Sequence, residues 1–149
     1  MYKTILVPLD GSKRAEKILP HVEGLAAQFK SQVTLLQVVV PAYYMMDPQL
    51  AFANVNLEET EWRVGQAKEY LDTLKKRLGA RDIQCERRVE QGPVVETIIE
   101  LARKGDYDLI AMASHGRTGL ARVFYGSIAA GMLQSLDRPI LLIRSRDED

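Results

Sequence analysis

Cysteine and histidine are scarce in this chain of 149 residues, which contains one cysteine, Cys85, and two histidines, His21 and His115. A single cysteine cannot form an internal disulfide, and these three residues do not have the spacing of a zinc cluster. Disulfide-stapled folds and structural zinc sites are therefore excluded. Cys85 itself lies in an alternating segment, which favours a small buried apolar group over a reactive thiol.

The chain also lacks net charge and long apolar runs. Lysine and arginine number 20 and aspartate and glutamate number 20, so no excess of positive charge favours nucleic-acid binding. The longest apolar stretch, Leu35–Met46, is interrupted by Gln37 and Pro41 and falls short of the ~20 residues that span a membrane. Because Asp10 arrives before any apolar region of signal-peptide length, we expect a cytoplasmic protein.

What the chain does contain is an ordinary globular composition arranged as alternating strands and helices. Apolar residues make up 46% and charged residues 27%, and the length suits a single domain over residues 1–149. Continuous apolar runs are typical of strands buried on both faces of a parallel sheet. Four such strands are predicted, at Thr4–Leu9, Val33–Val40, Leu109–Ala113 and Ile140–Ile143. A fifth segment, from Ile83 to Val89, alternates apolar and polar residues and is typical of a half-exposed strand near a sheet edge.

Helical periodicity fills the intervals between these strands. The first helix starts from a Ser12 N-cap, runs to Phe29 and is predicted to kink near Pro20. The second carries its apolar period from Val64 to Leu78, the third from Val94 to Ala102, and the fourth from Ile128 to Leu136. Ala42–Leu57 has no clean period, and we interpret it as a long loop of the kind that often forms a lid.

The order of these elements, β-α-β-α-β-α-β-α-β, predicts the fold class. Strands that alternate with helices pair in parallel through right-handed crossovers, giving an open doubly wound α/β sheet of five strands with four helices. Ligands bind such sheets at the carboxyl ends of the strands, beside the point where the strand order reverses. If the loops after the first and fourth strands share one site, these two strands are neighbours and the strand order is 3-2-1-4-5.

Those two loops have the composition of an anion-binding site. The first is Pro8–Ser12, and the second runs from Ser114 to Gly119 and continues to Gly126 and Ser127 at the next helix start. Glycines allow a ligand to approach the backbone closely, and a helix N-terminus offers unpaired N–H groups to phosphate. The simpler alternative, that the glycines only make turns, stays open on these residues alone.

The spacing of the second loop carries a resemblance to a known family. The segment ASHGRTGLARVFYGS, Ala113–Ser127, resembles the universal stress protein signature, in which G-x-x-G is followed by nine residues and G-S/T. The opening KTILVPLDGS and the late RPILLIR look like the first and last strands of that family. The resemblance covers nearly the whole chain and implies an α/β fold of five parallel strands, of the adenine nucleotide alpha hydrolase-like type. One departure is that Ala113 stands at the first glycine of the signature.

The resemblance also implies which residues hold a ligand. In the nucleotide-binding branch of the family, ATP or AMP lies in the cleft formed by the two loops. Pro8 and Asp10 would flank the adenosine, and Val38 would contact the adenine. The ribose and phosphates would be held by the residues around the signature, namely Met112, Ala113, Ser114, His115, Gly116, Arg117, Thr118, Gly126, Ser127 and Ile128.

Two chemical groups in these loops have alternative roles. The Asp10 carboxylate can bind ribose hydroxyls, hold Mg²⁺ together with nucleotide phosphates, or cap the following turn. His115 suggests a general base, but no Ser/His/Asp arrangement accompanies it, so orientation of the loop is favoured. P-loop and dinucleotide fingerprints are missing from the sequence. No catalytic residue is therefore assigned, and any ATP hydrolysis is expected to be slow.

The residues, together with what the resemblance implies, leave three functional hypotheses open. The first is an ATP- or AMP-binding stress-response protein that acts as a nucleotide-responsive regulator or chaperone-like factor on an unknown protein partner. The second is a Mg²⁺-dependent nucleotide hydrolase or transferase built on Asp10. The third is a dimeric interaction module that binds no nucleotide. The resemblance also implies a homodimer in which the last strand, Ile140–Ile143, pairs antiparallel with its copy.

Overall fold

The computed structural model describes residues 1–41, 57–114 and 126–145, and within these ranges five strands alternate with four α-helices. The strands are β1 (Thr4–Leu9), β2 (Gln32–Val39), β3 (Gln84–Gln91), β4 (Leu109–Ala113) and β5 (Ile140–Ile143). The helices are α1 (Leu19–Phe29), α2 (Leu57–Gly79), α3 (Val94–Lys104) and α4 (Gly126–Ser135), and a 3₁₀-helix at Ala15–Ile18 precedes α1. None of these described helices is long and apolar enough to cross a membrane.

All five strands form one parallel sheet in the predicted order, β3-β2-β1-β4-β5. The central strand, β1, pairs with β2 from Thr4 opposite Gln32 to Leu9 opposite Gln37. On its other side β1 pairs with β4, where Ile5 lies opposite Leu109. Because the chain leaves β1 toward β2 and later returns to β4 on the opposite side, the strand order reverses between β1 and β4.

The side chains of the strands alternate between two hydrophobic layers. The layer against α1 and α2 includes Ile5, Val7, Leu35 and Ala111, and the layer against α3 and α4 includes Leu6, Leu36, Ile110 and Met112. Burial of each large aliphatic side chain contributes roughly 1.5–3 kcal/mol, so both layers hold their helices against the sheet. The alternation also decides which helices each strand residue faces at the carboxyl end of the sheet.

The first helical segment differs from the predicted kinked helix. Ala15–Ile18 forms a 3₁₀-helix, and the α-helix begins only at Leu19, with Pro20 in its first turn. Proline has no N–H to donate and its ring excludes the preceding α-helical turn, so a continuous α-helix through Pro20 does not form. The prediction of one helix from the Ser12 cap to Phe29 is therefore wrong, and a 3₁₀-helix and an α-helix follow each other instead. Ser12 does cap the segment, since its Oγ accepts a hydrogen bond from the N–H of Ala15 at 3.1 Å.

The second helix, α2, begins earlier than the apolar period indicates. It starts at Leu57 rather than near Val64, and its first turns leave Leu57 and Trp62 exposed at 65% and 64%. Glu58 and Glu59 lie in the first turn, where carboxylates favour a helix N-terminus. Leu57, which we predicted at the end of the long loop, thus belongs to α2. The rest of that loop, residues 42–56, lies outside the described residues.

The two edge strands differ in chemistry. β3 is half-exposed, as predicted, and carries charged side chains such as Glu86, Arg88 and Glu90. Charges on an edge strand discourage pairing with another chain. β5, at the opposite edge, consists of four apolar residues that are all half-buried. The sheet therefore has one charged edge and one apolar edge.

Candidate functional site

The two predicted ligand loops begin at the same place in the sheet. Asp10 follows β1 and Ser114 follows β4, and these two strands are neighbours in parallel register. The carboxyl ends of parallel strands lie at one edge of the sheet, and here the strand order also reverses. The structure therefore brings Asp10 and Ser114 to the switch point of the fold, as the sequence predicts.

Predicted ligand residues on three different strands share one face of the sheet. Val38 and Met112 pack in the layer beside α3 and α4. Pro8 lies two residues beyond Leu6, a member of the same layer, so strand alternation places Pro8 on this face as well. Ala113 is 7% exposed and alternates with Met112, which directs its methyl toward the opposite face. The departure from glycine at Ala113 therefore adds no atoms to the face that Pro8, Val38 and Met112 share.

The Asp10 carboxylate is held by the turn that follows it. Its Oδ1 accepts hydrogen bonds from the N–H of Ser12 at 2.9 Å and from Ser12 Oγ at 2.6 Å. Gly11, between them, has φ of +86°, a left-handed conformation that side chains rarely adopt. The capping role predicted for Asp10 is thus present in the structure. It also positions the carboxylate at the switch point with little freedom to move.

Helix α2 is joined to this turn by a tyrosine that sequence reasoning missed. Tyr70 Oη donates a hydrogen bond to Glu16 Oε2 at 3.0 Å, and Glu16 lies in the 3₁₀-helix next to the Asp10 turn. Burial, followed by the charge and hydrogen bond of Glu16 and the charge of Asp10, raises the pKa of Tyr70 well above its usual value. The hydroxyl therefore stays protonated and acts as a donor. Tyr70 lies three positions after Ala67 and four before Leu74 of the α2 period, so the sequence signals its packing but not its hydrogen bond.

Ser114 is the most deeply buried polar residue at the switch point. It is 2% exposed, and its backbone N–H donates to the carbonyl of Ile143 at 2.8 Å, extending the pairing of β4 and β5. Its hydroxyl oxygen is buried and has no hydrogen-bond partner among the described residues. Buried polar atoms in proteins usually have a hydrogen-bond partner. The Ser114 hydroxyl is therefore available to form a hydrogen bond with a ligand.

The predicted phosphate-binding pair, Gly126 and Ser127, forms the start of α4. A helix N-terminus presents unpaired N–H groups and partial positive charge. Ala129 and Met132 of α4 pack in the same layer as Val38, so this helix start lies on the face described above. Ile128, also predicted in the site, is 37% exposed. The predicted residues His115, Gly116, Arg117 and Thr118 lie outside the described residues.

Metal and thiol chemistry have little support in the described ranges. Within residues 1–41, 57–114 and 126–145, no group of three His, Cys, Asp or Glu side chains is arranged to hold a metal ion. Burial raises the pKa of the Cys85 thiol to about 11, against a smaller lowering by Lys75. Because the thiolate is the reactive form, Cys85 is unreactive at neutral pH.

Comparison with known proteins places the chain in a family. The sequence model of the universal stress protein family matches residues 1–144. The universal stress protein MJ0577 of Methanocaldococcus jannaschii is 27% identical to this chain, over 99% of this chain and 98% of its own length. The solved structure of MJ0577 superposes with a TM-score of 0.84 and 26% identity, and covers 99% of each chain.

Two further solved structures of this fold hold nucleotides. A universal stress protein in complex with cAMP has a TM-score of 0.66 and 20% identity, covering 97% of this chain and 98% of that one. A universal stress protein family protein from Arabidopsis thaliana with AMP bound has a TM-score of 0.67 and 14% identity, covering 99% and 94%. At these identities the likeness establishes a shared fold. The family model matches residues 1–144, nearly the whole chain, and this chain therefore belongs to the universal stress protein family.

Proposed function

We propose that this chain, as a single domain over residues 1–149, binds an adenine nucleotide at the switch point and acts as a nucleotide-responsive regulator of a protein partner. The observation that carries the proposal is the convergence of Asp10, Val38 and Ser114, from three strands, on the carboxyl end of the sheet beside the start of α4. Related proteins of the same fold bind AMP and cAMP, which supports adenine as the base. The Asp10 end suits ribose hydroxyls, and the N-terminus of α4 suits phosphate.

The donor set near Asp10 fits a cation only when a nucleotide supplies further oxygens. Asp10 is a single carboxylate, and one of its oxygens already accepts two hydrogen bonds from Ser12. Mg²⁺ demands near-octahedral coordination and is commonly held by one or two carboxylates together with phosphates and water. We therefore propose that Mg²⁺ accompanies ATP rather than occupying a site of its own. ATP affinity should rise with Mg²⁺, whereas adenosine affinity should not change.

Isothermal titration of the purified chain with AMP and ATP tests the proposal. We expect saturable binding of both, and a loss of affinity in Asp10→Ala because the ribose end of the site loses its acceptor. Asp108→Ala is the matched control, since one oxygen of Asp108 also accepts two hydrogen bonds, here from the backbone N–H groups of Lys3 and Thr4, but Asp108 lies at the amino end of the sheet. Its affinity should equal that of the unmodified chain.

Three results would contradict this function in different ways. If no heat of binding is measured at millimolar AMP or ATP, the remaining hypothesis is an interaction module that binds no nucleotide. Equal affinity losses in Asp10→Ala and Asp108→Ala would attribute the effect to weakened folding rather than to the site. Sustained phosphate release from ATP that disappears in Asp10→Ala would instead favour the hydrolase.

We also propose that the chain forms a homodimer through β5. All four residues of Ile140–Ile143 are apolar and half-buried, and the strand lies at the edge of the sheet. An apolar edge strand is a template for pairing unless another chain covers it. Antiparallel pairing of two copies would join the two sheets and bury these side chains.

Light scattering at micromolar concentration checks the dimer. The unmodified chain should have twice the mass of one chain, and Leu142→Lys should shift it to a monomer because a charge would enter the interface. Arg88→Lys on the charged edge strand β3 is the control and should remain dimeric. A monomeric mass for the unmodified chain would refute the pairing.

A further inference from the structure

Unsatisfied buried polar atoms are concentrated at the carboxyl end of the sheet. Four buried side-chain oxygens among the described residues have no hydrogen-bond partner, and three of them lie near or just beyond the carboxyl ends of strands. These three are Gln37 Oε1, Ser114 Oγ and Ser145 Oγ. The fourth, Glu23 Oε1, lies 3.0 Å from Arg77 in an ion pair. A buried acceptor that has lost its water and found no partner is destabilising, so such atoms indicate where an outside group completes the structure.

Gln37 and Ser145 lie outside the family signature, and of these two only Gln37 lies within a strand and next to a predicted ligand residue. It is a polar residue between the apolar pairs Leu35–Leu36 and Val38–Val39 of β2. In the sheet it lies opposite Leu9, the last residue of β1 before Asp10. Its side chain therefore projects at the same end of the sheet as the Asp10 turn.

The amide of Gln37 lies against that turn. Its Nε2 is 3.9 Å from the position that a Cβ on Gly11 would occupy. Strand alternation directs Gln37 and Val38 to opposite faces, so the two residues approach the switch point from different sides. The amide oxygen is buried but unpaired, although the residue as a whole is only half-buried. The acceptor thus lies beside the Asp10 turn, on the face of the sheet that packs against α1 and α2, and retains its hydrogen-bonding capacity.

We infer that Gln37 is a ligand-contacting residue whose amide oxygen accepts a hydrogen bond from the nucleoside part of the bound nucleotide. This inference rests on the proposed function and adds a specificity determinant to it. Two donors of an adenine nucleoside have the required chemistry, the exocyclic amine of the base and a ribose hydroxyl. A base with a carbonyl oxygen in place of the amine has no donor for this oxygen and would pair with Gln37 only through the amide nitrogen, after the amide turned over.

The test combines a substitution in the protein with removal of each donor from the ligand. Gln37→Met keeps the length of the side chain and removes the amide. Titrations use AMP, inosine monophosphate, which lacks the exocyclic amine, and 2′-deoxy-AMP, which lacks one ribose hydroxyl. A neutral hydrogen bond of this kind is worth about a 2- to 12-fold change in affinity, and we expect Gln37→Met to weaken AMP binding by that factor.

A double-mutant cycle identifies the donor. The ligand that lacks the donor should bind the unmodified chain more weakly than AMP, and it should lose nothing further in Gln37→Met. Gln32→Met is the matched control, because Gln32 lies on the same strand at its amino end. Its affinities for all three ligands should match those of the unmodified chain.

The outcomes separate this inference from the function on which it rests. If the unmodified chain binds AMP and Gln37→Met binds it equally well, the inference is overturned and the proposed function stands. Equal weakening of these three ligands, and of 3′-deoxy-AMP as well, by Gln37→Met also overturns it, since that result indicates altered packing without a specific hydrogen bond. Failure of the unmodified chain to bind AMP refutes the proposed function, and the inference with it. Thermal unfolding of each variant shows that the chain remains folded.

Discussion

The two ends of the sheet differ in whether their polar groups are hydrogen-bonded. At the amino end, Asp108 Oδ2 accepts hydrogen bonds from the N–H groups of Lys3 at 2.8 Å and Thr4 at 3.1 Å. The Lys3 hydrogen bond in particular holds the pKa of Asp108 below its usual range. Arg138 donates to the backbone carbonyls of Ala102 and Tyr107 at the same end. The carboxyl end instead holds the unpaired oxygens of Gln37, Ser114 and Ser145.

The turns at the two ends also differ, in the backbone angle φ of their left-handed residues. The left-handed positions that precede β2, β3 and β4 are Lys30, Asp82 and Asp106, with φ of 55°, 59° and 53°. These angles belong to the small left-handed region that other residues can enter. At the carboxyl end the positive angles are +86° at Gly11 and +144° at Gly92, further from that region. Among the described residues, the glycines with positive φ therefore follow β1 and β3, at the carboxyl end of the sheet.

This difference separates stability from function within one sheet. Hydrogen bonds that the protein makes to itself close the amino end, so changes there should affect folding alone. The carboxyl end keeps acceptors and unusual turns that a ligand can use. A sequence that breaks local preferences at one place usually does so for function. The comparison can therefore be tested by equivalent substitutions at each end, with stability and nucleotide affinity measured separately.

The largest effect on stability is expected at the amino end, from Gly105→Ala. Gly105 follows α3, and an added Cβ would lie 2.3 Å from Cε2 of Tyr107 and 3.0 Å from the carbonyl oxygen of Leu101. The Tyr107 ring has little room to move, because it is 8% exposed and its hydroxyl donates to Thr34 at 3.2 Å. Overpacking of this kind costs about 1–3 kcal/mol, which urea denaturation would measure.

The control for this substitution is Gly79→Ala, at the same end of the sheet. Gly79 is the last residue of α2, and nothing lies within 4 Å of an added Cβ. Its stability should be unchanged or slightly higher, since alanine is the better helix former. Both variants should bind AMP with the affinity of the unmodified chain. A loss of affinity in Gly105→Ala without loss of stability would break the distinction between the two ends.

Much of this architecture could be predicted from the sequence, because it depends on patterns of burial. The apolar run Thr4–Leu9 matches β1 at both ends, and the strand order follows from requiring two loops to meet at one site. The alternation of apolar and polar residues before Val89 indicates an edge strand, and β3 is one. A strand or helix that is buried on one side repeats its apolar residues at a fixed spacing, so it can be predicted from the sequence.

The features that could not be predicted are those that leave no pattern of apolar residues in the sequence. The exposed first turns of α2, from Leu57 to Arg63, have no apolar period to show. A 3₁₀-helix and an α-helix both bring Ala15 and Ile18 to one face, so periodicity does not separate them. The contact of Tyr70 with Glu16 joins residues far apart in the chain, and the unpaired amide of Gln37 is visible only in three dimensions. Candidate residues in a motif could be predicted from the sequence, but the residues that contact them in the folded chain could not.

The second substitution, Gly11→Ala, tests the carboxyl end. Space is available for a methyl group, since the nearest atom outside the turn, Gln37 Nε2, is 3.9 Å from the added Cβ. The cost is conformational, because alanine at a φ of +86° is strained, and left-handed strain of this order is about 1–2 kcal/mol. We expect a loss of stability no larger than that of Gly105→Ala. A turn that relaxes to relieve the strain moves Asp10, so AMP affinity should fall as well.

Gly24→Ala supplies the comparison for Gly11→Ala. Gly24 lies inside α1 with nothing within 4 Å of an added Cβ, and the substitution should stabilise the chain by up to about 1 kcal/mol without changing affinity. Urea denaturation and AMP titration on both variants give the two quantities. If Gly11→Ala lowers stability but leaves AMP affinity intact, the Asp10 turn is structural like the turns at the amino end. A fall in both quantities at Gly11, and in stability alone at Gly105, is the result expected if only the carboxyl end binds the nucleotide.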